Sequence, residues 1–279
     1  MLEARCLING REARTVPVGD RGLHYGDGVF ETIAVRAGRP CLWSLHRERL
    51  YRGLTRLGIS TDGLNGLEDD IGRLLRGVTN AVLKLIVTRG PSPPGYGAKP
   101  LAAPTCILLR YSPRAYPQAW AEQGVAVRRC CTRLATGGAL AGIKHLNRLE
   151  QVLARREWDD PRIAEGLMVD QSGRLIGGTM SNLFVFRGGA LVTPSLQRCG
   201  IAGTVRARVL AQAAILGLSV VEADLSIDEI ETADGAFLTN ALVGVWPIRA
   251  VDGRMLSIEA LPTELIAAVR ADSFMPEPN

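Results

Sequence analysis

One lysine is the best candidate for a reacting group in this chain. Lysine accounts for three of the 33 basic residues. One of them, Lys144, lies near the start of the segment from Leu140 to Ala154. The apolar spacing after Lys144 predicts an amphipathic helix, and a glycine-bearing turn precedes it. A helix N-terminus disfavours the protonated form of an amine, which suits chemistry through an imine. By position alone, an ordinary surface lysine is the commoner alternative.

A second candidate is a glycine-rich turn that could bind an anion. Residues 198–206 read Arg-Cys-Gly-Ile-Ala-Gly-Thr-Val-Arg and lead into a helix predicted over about 204–216. Backbone amides of such a turn, together with the helix dipole, can hold a phosphate. Thr239 and Asn240, at the end of an apolar strand, could add a hydroxyl and an amide. Glycines before a helix more often only turn the chain, so this signal is weak by itself.

The elements that must position these residues follow a mixed α/β pattern in two domains. Residues 1–113 are predicted to form a smaller α/β domain, prolines indicate a linker at 114–122, and 123–279 form a larger domain. Strands are predicted at 6–8, 29–35, 81–87, 106–111, 125–130, 166–170, 182–186, 219–222 and 235–239, and helices at 46–57, 145–158 and 204–216. A cleft between two such domains is a usual place for a small-molecule site.

Composition excludes several classes of protein. The net charge is +5, and the arginines are scattered among 28 acidic residues rather than gathered in a block, which argues against nucleic-acid binding. Six cysteines without CxxC spacing and three histidines argue against a zinc site. No apolar stretch approaches the length of a membrane span, and no secretory signal is visible. The expected location is therefore a reducing cytoplasm.

Six motifs, in their order along the chain, resemble the fold-type IV pyridoxal-phosphate enzymes and, within them, the aminodeoxychorismate lyases. They are Asp20 to Thr32 (Asp-Arg-Gly-Leu-His-Tyr-Gly-Asp-Gly-Val-Phe-Glu-Thr), His46-Arg-Glu-Arg-Leu50, Leu140 to Arg155, Ser181-Asn-Leu-Phe184, Cys199-Gly-Ile-Ala-Gly203 and Thr239-Asn-Ala-Leu242. The resemblance spans almost the whole chain. Its most specific part is Gly-Ile-Lys-His-Leu-Asn-Arg-Leu-Glu-Gln-Val-Leu, which looks like the lyase branch. The implied fold is D-amino-acid-aminotransferase-like.

The resemblance also implies roles for individual residues. Lys144 would be the Schiff-base lysine and general acid/base, and Arg49 would bind the phosphate of pyridoxal 5'-phosphate. The remaining implied residues are Ile201, Ala202, Gly203, Thr239 and Asn240 around the phosphate, Asn182 beside the ring, and Tyr25 and Arg89 toward the substrate carboxylates. The implied reaction converts 4-amino-4-deoxychorismate to 4-aminobenzoate and pyruvate, a step of folate biosynthesis, in a homodimer.

The chain departs from the family pattern at two positions. Five residues before Asn182, where family members carry a glutamate that pairs with the pyridine nitrogen, this chain has Gly177. Without that carboxylate the ring is a weaker electron sink, which a lyase with an aromatic product tolerates better than a transaminase. Cys106 stands where close relatives often carry an arginine, which bears on recognition of the substrate carboxylates.

Two alternatives share the cofactor residues. One is a fold-type IV aminotransferase acting on D- or branched-chain amino acids. The other is a catalytically degenerate protein that binds pyridoxal phosphate and for which Gly177 marks lost catalysis. The lyase-like stretch after Lys144 argues against the first, and the intact Lys144 and Arg49 argue against the second.

Overall fold

The computed structural model describes residues 5–97 and 103–276, so Lys99 lies outside the described residues. The chain divides into two compact units. Unit 1 holds the described residues up to Arg114, the segment Ile143–Asn147, and those from Phe274 onward. Unit 2 holds Ala115–Gly142 and Arg148–Ser273. The division after Arg114 lies at the end of the predicted first domain, but two later segments return to unit 1.

Unit 1 is built on one antiparallel sheet. Its elements are β1 (Arg5–Ile8), β2 (Arg11–Glu12), α1 (Arg21–Tyr25), β3 (Gly28–Arg36), β4 (Arg39–Pro40), α2 (Trp43–Leu57), a short 3-10 helix (Asp62–Leu64), α3 (Leu67–Leu75), β5 (Ala81–Thr88) and β6 (Thr105–Tyr111). Among the described residues the sheet has six strands in the order β2-β1-β6-β5-β3-β4. The strands predicted near 29–35, 81–87 and 106–111 and the helix near 46–57 are confirmed.

The alternation of β5 shows why this sheet forms. Ala81, Leu83, Leu85 and Val87 lie on one face and are buried, with exposures of 0 to 2%. Successive strand side chains point to opposite faces, so this spacing puts four apolar groups on the side that meets α2 and α3. Leu50 and Leu54, one turn apart on α2, join the same core.

Unit 2 is built on a larger mixed sheet. Its elements are α4 (Gln118–Glu122), β7 (Val125–Arg129), α5 (Leu149–Arg155), β8 (Ile163–Val169), β9 (Leu175–Gly178), β10 (Asn182–Arg187), β11 (Ala190–Pro194), α6 (Thr204–Ile215), β12 (Val220–Ala223), α7 (Ile227–Glu231), β13 (Gly235–Asn240), β14 (Gly244–Val251), β15 (Arg254–Met255) and α8 (Thr263–Ser273). Among the described residues nine strands join in the order β12-β11-β10-β13-β14-β7-β8-β9, with β15 on β14.

Residues 115–122 of the predicted linker belong to unit 2. Its α4 carries Trp120, whose ring centroid lies 5.1 Å from that of Trp246 on β14. Tyr116 adds a second edge-on contact to Trp246 at 5.0 Å. Edge-on aromatic pairs at these distances are favourable beyond their buried area. The two prolines of this region therefore turn the chain without freeing it from unit 2.

The helix predicted over 145–158 is wrong at its start, because α5 begins only at Leu149. The residues before it, Ile143–Asn147, are extended and belong to unit 1. Pairing with a distant strand prevails here over the local helical spacing. The sequence analysis also missed α3, β14 and α8. Among the described residues, no helix has the length and apolarity needed to cross a membrane.

Candidate active site

Lys144 lies in an extended segment that runs alongside β3. Its carbonyl oxygen accepts a hydrogen bond from Phe30 N at 2.9 Å, and Leu146 N donates to Gly28 O at 3.0 Å. Val29 and His145 form an antiparallel bridge between these bonds. The helix-mouth position expected for Lys144 is therefore wrong, and with it the argument that a helix dipole disfavours its protonated form. The sheet fixes the backbone of Lys144 more firmly than a fraying helix end does.

The side chain of Lys144 lies over an aromatic ring. Its Nζ is 4.3 Å from the centroid of Phe30, and Lys84 Nζ lies 5.4 Å from the same centroid. Directly opposite residues of an antiparallel pair share a face, which explains why Lys144 meets Phe30. The half-buried amine of Lys144 thus packs against an aromatic ring that Lys84 also contacts. The face of an aromatic ring attracts an ammonium group.

Arg49 lies in a buried cluster of charged groups in unit 1. Its Nε donates to Glu31 Oε1 at 2.8 Å and its Nη2 to Glu31 Oε2 at 2.5 Å. His46 Nδ1 donates to the same Oε2 at 2.6 Å. Burial by itself raises the pKa of Glu31, but the Arg49 charge and these hydrogen bonds prevail and lower it to about 2. Burial lowers the pKa of His46, and Arg49 and Lys144 act in the same direction against the pull of Glu31.

The glycine-rich turn of unit 2 is held by hydrogen bonds from two sides. Asn182 Nδ2 donates to Ile201 O at 2.8 Å. Gly142 N donates to Gly200 O at 2.9 Å, and Ala202 N donates back to Gly142 O at 3.2 Å. The Ala202 amide, expected to face a phosphate, is therefore engaged within the protein. Gly203 is the N-cap of α6, so the positive end of that helix dipole lies at this turn.

Thr239 provides an unsatisfied hydroxyl beside this turn. It is 1% exposed, and its Oγ1 has no hydrogen-bond partner among the described residues. Thr239 on β13 is directly opposite Asn182 on β10, so both side chains lie on one face of the sheet. Asn240 is used differently, because its Oδ1 accepts from Leu242 N at 2.8 Å and Val243 N at 3.0 Å to close a turn.

The arrangement in unit 2 fits a phosphate group. A buried hydroxyl without a partner costs about 1 to 3 kcal/mol, a cost that an incoming acceptor removes. The N-terminus of the twelve-residue helix α6 attracts negative charge at the turn that Asn182 holds. Backbone donors and a hydroxyl are the groups that bind phosphate oxygens. The residues present therefore fit the phosphate of the implied cofactor.

The two residues expected to meet the substrate are part of the scaffold of unit 1. Arg89 donates from Nε and Nη2 to Asp27, and from Nη1 and Nη2 to the carbonyl oxygens of Gly58 and Leu57. The half-buried Tyr25 accepts at its hydroxyl from Gly95 N at 3.1 Å. Arg89 thus links β5 to the end of α2. A role of either residue toward substrate stays a prediction.

The two positions that depart from the family pattern have clear local structures. Gly177 on β9 is buried, and a Cβ there would lie 2.6 Å from Ser181 O, so a side chain at 177 requires the backbone to move. Cys106 on β6 belongs to the apolar core of unit 1, and burial raises its pKa to about 12. Its side chain is therefore a core group.

Glu165 on β8 is a site residue that the sequence analysis missed. It is fully buried and accepts hydrogen bonds from Gly166 N, Thr179 N and Oγ1, Met180 N and Ser181 Oγ. These five bonds hold the turn that precedes Asn182 and saturate both carboxylate oxygens. Glu31 and His46 were also missed. A glutamate between Val29 and Ile33 on the apolar face of a predicted strand was a visible signal.

The fold and these clusters define a class of protein. The family model for amino-transferase class IV matches residues 28–251, and the chain belongs to this family. The match includes both Lys144 and the turn before α6. The fold is that of the fold-type IV enzymes, as the resemblance implied.

Individual relatives divide between two activities. The aminodeoxychorismate lyase of Vibrio harveyi is 35% identical over 245 residues, which cover 88% of this chain and 90% of that protein. A putative branched-chain-amino-acid aminotransferase of Methanocaldococcus jannaschii is 31% identical, with 90% and 87% covered. The crystal structure of 4-amino-4-deoxychorismate lyase from Pseudomonas aeruginosa superposes with a TM-score of 0.91 at 44% identity, covering 96% of this chain and 98% of that one.

Proposed function

We propose that this protein is a pyridoxal-phosphate-dependent lyase that converts 4-amino-4-deoxychorismate to 4-aminobenzoate and pyruvate. The proposed substrate rests on the 44% identity, over 96% of the chain, to the Pseudomonas aeruginosa lyase. The Vibrio harveyi lyase supports the same substrate over 88% of the chain. In this proposal the product enters folate biosynthesis as 4-aminobenzoate.

The residues proposed to hold the cofactor are those that the resemblance implies. Lys144 would bind it covalently through Nζ, and Arg49, the turn before α6 and Thr239 would bind its phosphate. Asn182 orders that turn through Ile201 O. When bound, pyridoxal phosphate supplies an electron-withdrawing ring that stabilises negative charge next to the substrate nitrogen. The unsatisfied Thr239 Oγ1 is the structural observation that supports the phosphate position.

Lys144 is proposed to move the proton in the reaction. Its amine would remove the proton from carbon 4 of the substrate, and the bond between the neighbouring ring carbon and the enolpyruvyl oxygen then breaks. The substrate ring becomes aromatic, and the leaving enolpyruvate takes up a proton to become pyruvate. The amine must be neutral to act as a base. The Phe30 ring below Nζ limits the positions that the amine can take. Backbone pairing with β3 keeps that range small.

An aminotransferase is the second candidate, supported by the 31% identity to the Methanocaldococcus jannaschii protein. It shares the residues proposed for the cofactor, so they do not separate the two activities. Gly177 favours the lyase, because loss of a carboxylate at the ring nitrogen weakens the electron sink and the aromatic product provides its own driving force. A degenerate binding protein remains the third alternative, which the experiment below also tests.

A homodimer is proposed on the basis of an exposed apolar stripe on α5. Leu149, Val152 and Leu153 are 68%, 53% and 45% exposed, and their spacing places them on one helical face. Exposed apolar clusters of this kind mark protein interaction sites, and a second copy of the chain is the proposed partner. We also propose a cytoplasmic location, which the six free cysteines support.

The deciding experiment supplies purified protein and pyridoxal phosphate with 4-amino-4-deoxychorismate and measures 4-aminobenzoate and pyruvate. D-alanine or leucine with 2-oxoglutarate replaces the substrate in parallel. Equimolar 4-aminobenzoate and pyruvate support the lyase. Glutamate formed from either amino acid at a comparable rate supports the aminotransferase instead, and no product from any substrate supports the degenerate protein.

The lysine assignment is tested with Lys144→Ala beside Lys84→Ala, since both amines lie over Phe30. Borohydride reduction should fix the cofactor on Lys144 in the wild type and in Lys84→Ala, as mass spectrometry of the peptides would show. Lys144→Ala should lose about a thousandfold in turnover, the scale of a proton-transfer group. Cofactor fixed on Lys84 in the wild type would contradict the assignment.

A further inference from the structure

Glu31 is a carboxylate on the apolar face of a strand. Its neighbours on that face of β3, Val29 and Ile33, are core residues with exposures of 2% and 0%. Glu31 itself is 1% exposed. An ionised carboxylate in such surroundings costs several kcal/mol unless hydrogen bonds compensate for the lost water.

The compensation comes from two residues on one face of α2. His46 and Arg49 are three positions apart, so both side chains reach β3 from the same side of the helix. Arg49 presents the edge formed by Nε and Nη2 to both carboxylate oxygens, and His46 donates to Oε2. All three side chains are at most 7% exposed.

Fold stability by itself is a weak reason for this cluster. A well-packed apolar group in place of a buried ion pair is often neutral or stabilising. The two-point contact does something that an apolar group does not, since it fixes the plane of the guanidinium. The bonds to Glu31 take two of the five N–H donors of Arg49 and set the direction of the others.

We infer that Glu31, supported by His46, is a positioning residue that fixes the Arg49 guanidinium for the phosphate of the ligand. This rests on the proposed function, in which Arg49 binds that phosphate. An arginine already held in place loses less side-chain entropy when the anion binds. Glu31 stays ionised through the ordinary pH range because its pKa is lowered to about 2, so the contact persists.

The test compares two ligands that differ only in the phosphate. Dissociation constants for pyridoxal phosphate and pyridoxal are measured by absorbance titration for the wild type and Glu31→Gln. We expect pyridoxal phosphate to bind about tenfold more weakly to Glu31→Gln, which is the effect of about one charged hydrogen bond. The dissociation constant for pyridoxal should change by less than about twofold. Equal losses for both ligands, or none for either, would overturn the inference.

A matched control is Glu48→Gln, which removes a 67% exposed carboxylate from α2, the helix that carries Arg49. It should leave both dissociation constants unchanged. In an Arg49→Lys background, Glu31→Gln should no longer change the preference for pyridoxal phosphate, because the guanidinium that Glu31 positions is absent. A full additional tenfold loss in that background would show that Glu31 does not act through Arg49.

Failure of the proposed function gives a different result. A wild type that binds pyridoxal and pyridoxal phosphate equally would remove the phosphate role of Arg49. A wild type that prefers pyridoxal phosphate, with Glu31→Gln keeping that preference, would overturn the inference about Glu31 alone. Should Glu31→Gln fail to fold, His46→Gln gives the same comparison with a smaller change. His46→Gln should weaken the binding of pyridoxal phosphate about threefold and leave the binding of pyridoxal unchanged. No change for either ligand would count against the inference.

Discussion

Asn182 and Gly203 are in such close contact that no side chain fits between them. A Cβ on Gly203 would lie 2.0 Å from Asn182 Oδ1. The amide of Asn182 cannot turn away without giving up its bond from Nδ2 to Ile201 O at 2.8 Å. One strand residue and one glycine thus jointly set the turn before α6.

Gly203→Ala is expected to weaken pyridoxal phosphate binding and to lower the free energy of unfolding by about 1 to 2 kcal/mol, because Asn182 must leave its position. Urea unfolding and absorbance titration measure the two effects. Gly137→Ala is the control, since a Cβ there meets nothing within 4 Å. A Gly203→Ala protein with wild-type cofactor affinity would contradict the role of this contact.

Thr239→Val is expected to have effects of opposite sign on stability and binding. The hydroxyl has no partner among residues 5–97 and 103–276, so its removal should raise the free energy of unfolding of the ligand-free protein by about 1 kcal/mol and weaken phosphate binding. Thr193→Val is the matched control. Its hydroxyl is fully buried and donates to Leu183 O at 2.8 Å, so its loss should destabilise the protein. Destabilisation by both variants would argue against an unsatisfied Thr239.

Gly177→Glu is expected to be less stable than the wild type, whatever its effect on activity. The Cβ of any residue at 177 meets Ser181 O, so the strand must shift to place a carboxylate there. Gly177→Ala carries the same Cβ without the charge and should lose a similar amount, about 1 to 3 kcal/mol in urea unfolding. Higher turnover in Gly177→Glu than in Gly177→Ala would show that the charge helps catalysis. A Gly177→Ala protein as stable as the wild type would contradict the expected clash.

Glu31 should make the free energy of unfolding depend on pH in the acid range. Its pKa is lowered from 4.5 to about 2 in the folded state, so it contributes stability above pH 4.5 that is lost as the pH falls toward 2. The free energy of unfolding of the wild type should therefore decrease over this range more than that of Glu31→Gln. Equal slopes in urea unfolding at pH 3 to 5 would contradict this.

Leu149→Lys combined with Leu153→Lys is expected to convert the proposed dimer to a monomer that keeps its fold. Both side chains are exposed on α5, so charge there should cost little within one chain. Light scattering after size exclusion gives the mass, and circular dichroism checks the fold. Ile215→Lys, at a 75% exposed position on α6, is the control and should leave the mass unchanged. A dimer that persists in the double variant would place the interface elsewhere.

Local pattern was enough to predict much of this molecule, and long-range pairing explains the rest. The alternation of β5 and the leucines of α2 are visible in the sequence, and so are Lys144 and Thr239. The helical spacing after Lys144 was misleading, because its neighbour His145 pairs with Val29 far back in the chain. The free hydroxyl of Thr239 was equally hidden, since satisfaction of a buried group depends on every neighbour in the fold.

The pairing of the Lys144 segment with β3 has a consequence for synthesis. While a ribosome is still making unit 2, the edge of β3 from Gly28 to Phe30 has β5 on one side and no strand yet on the other. An open strand edge is a template for pairing with another chain. The nascent protein therefore carries an aggregation-prone edge until residue 147 emerges, and the lysine proposed for chemistry arrives on the strand that closes it.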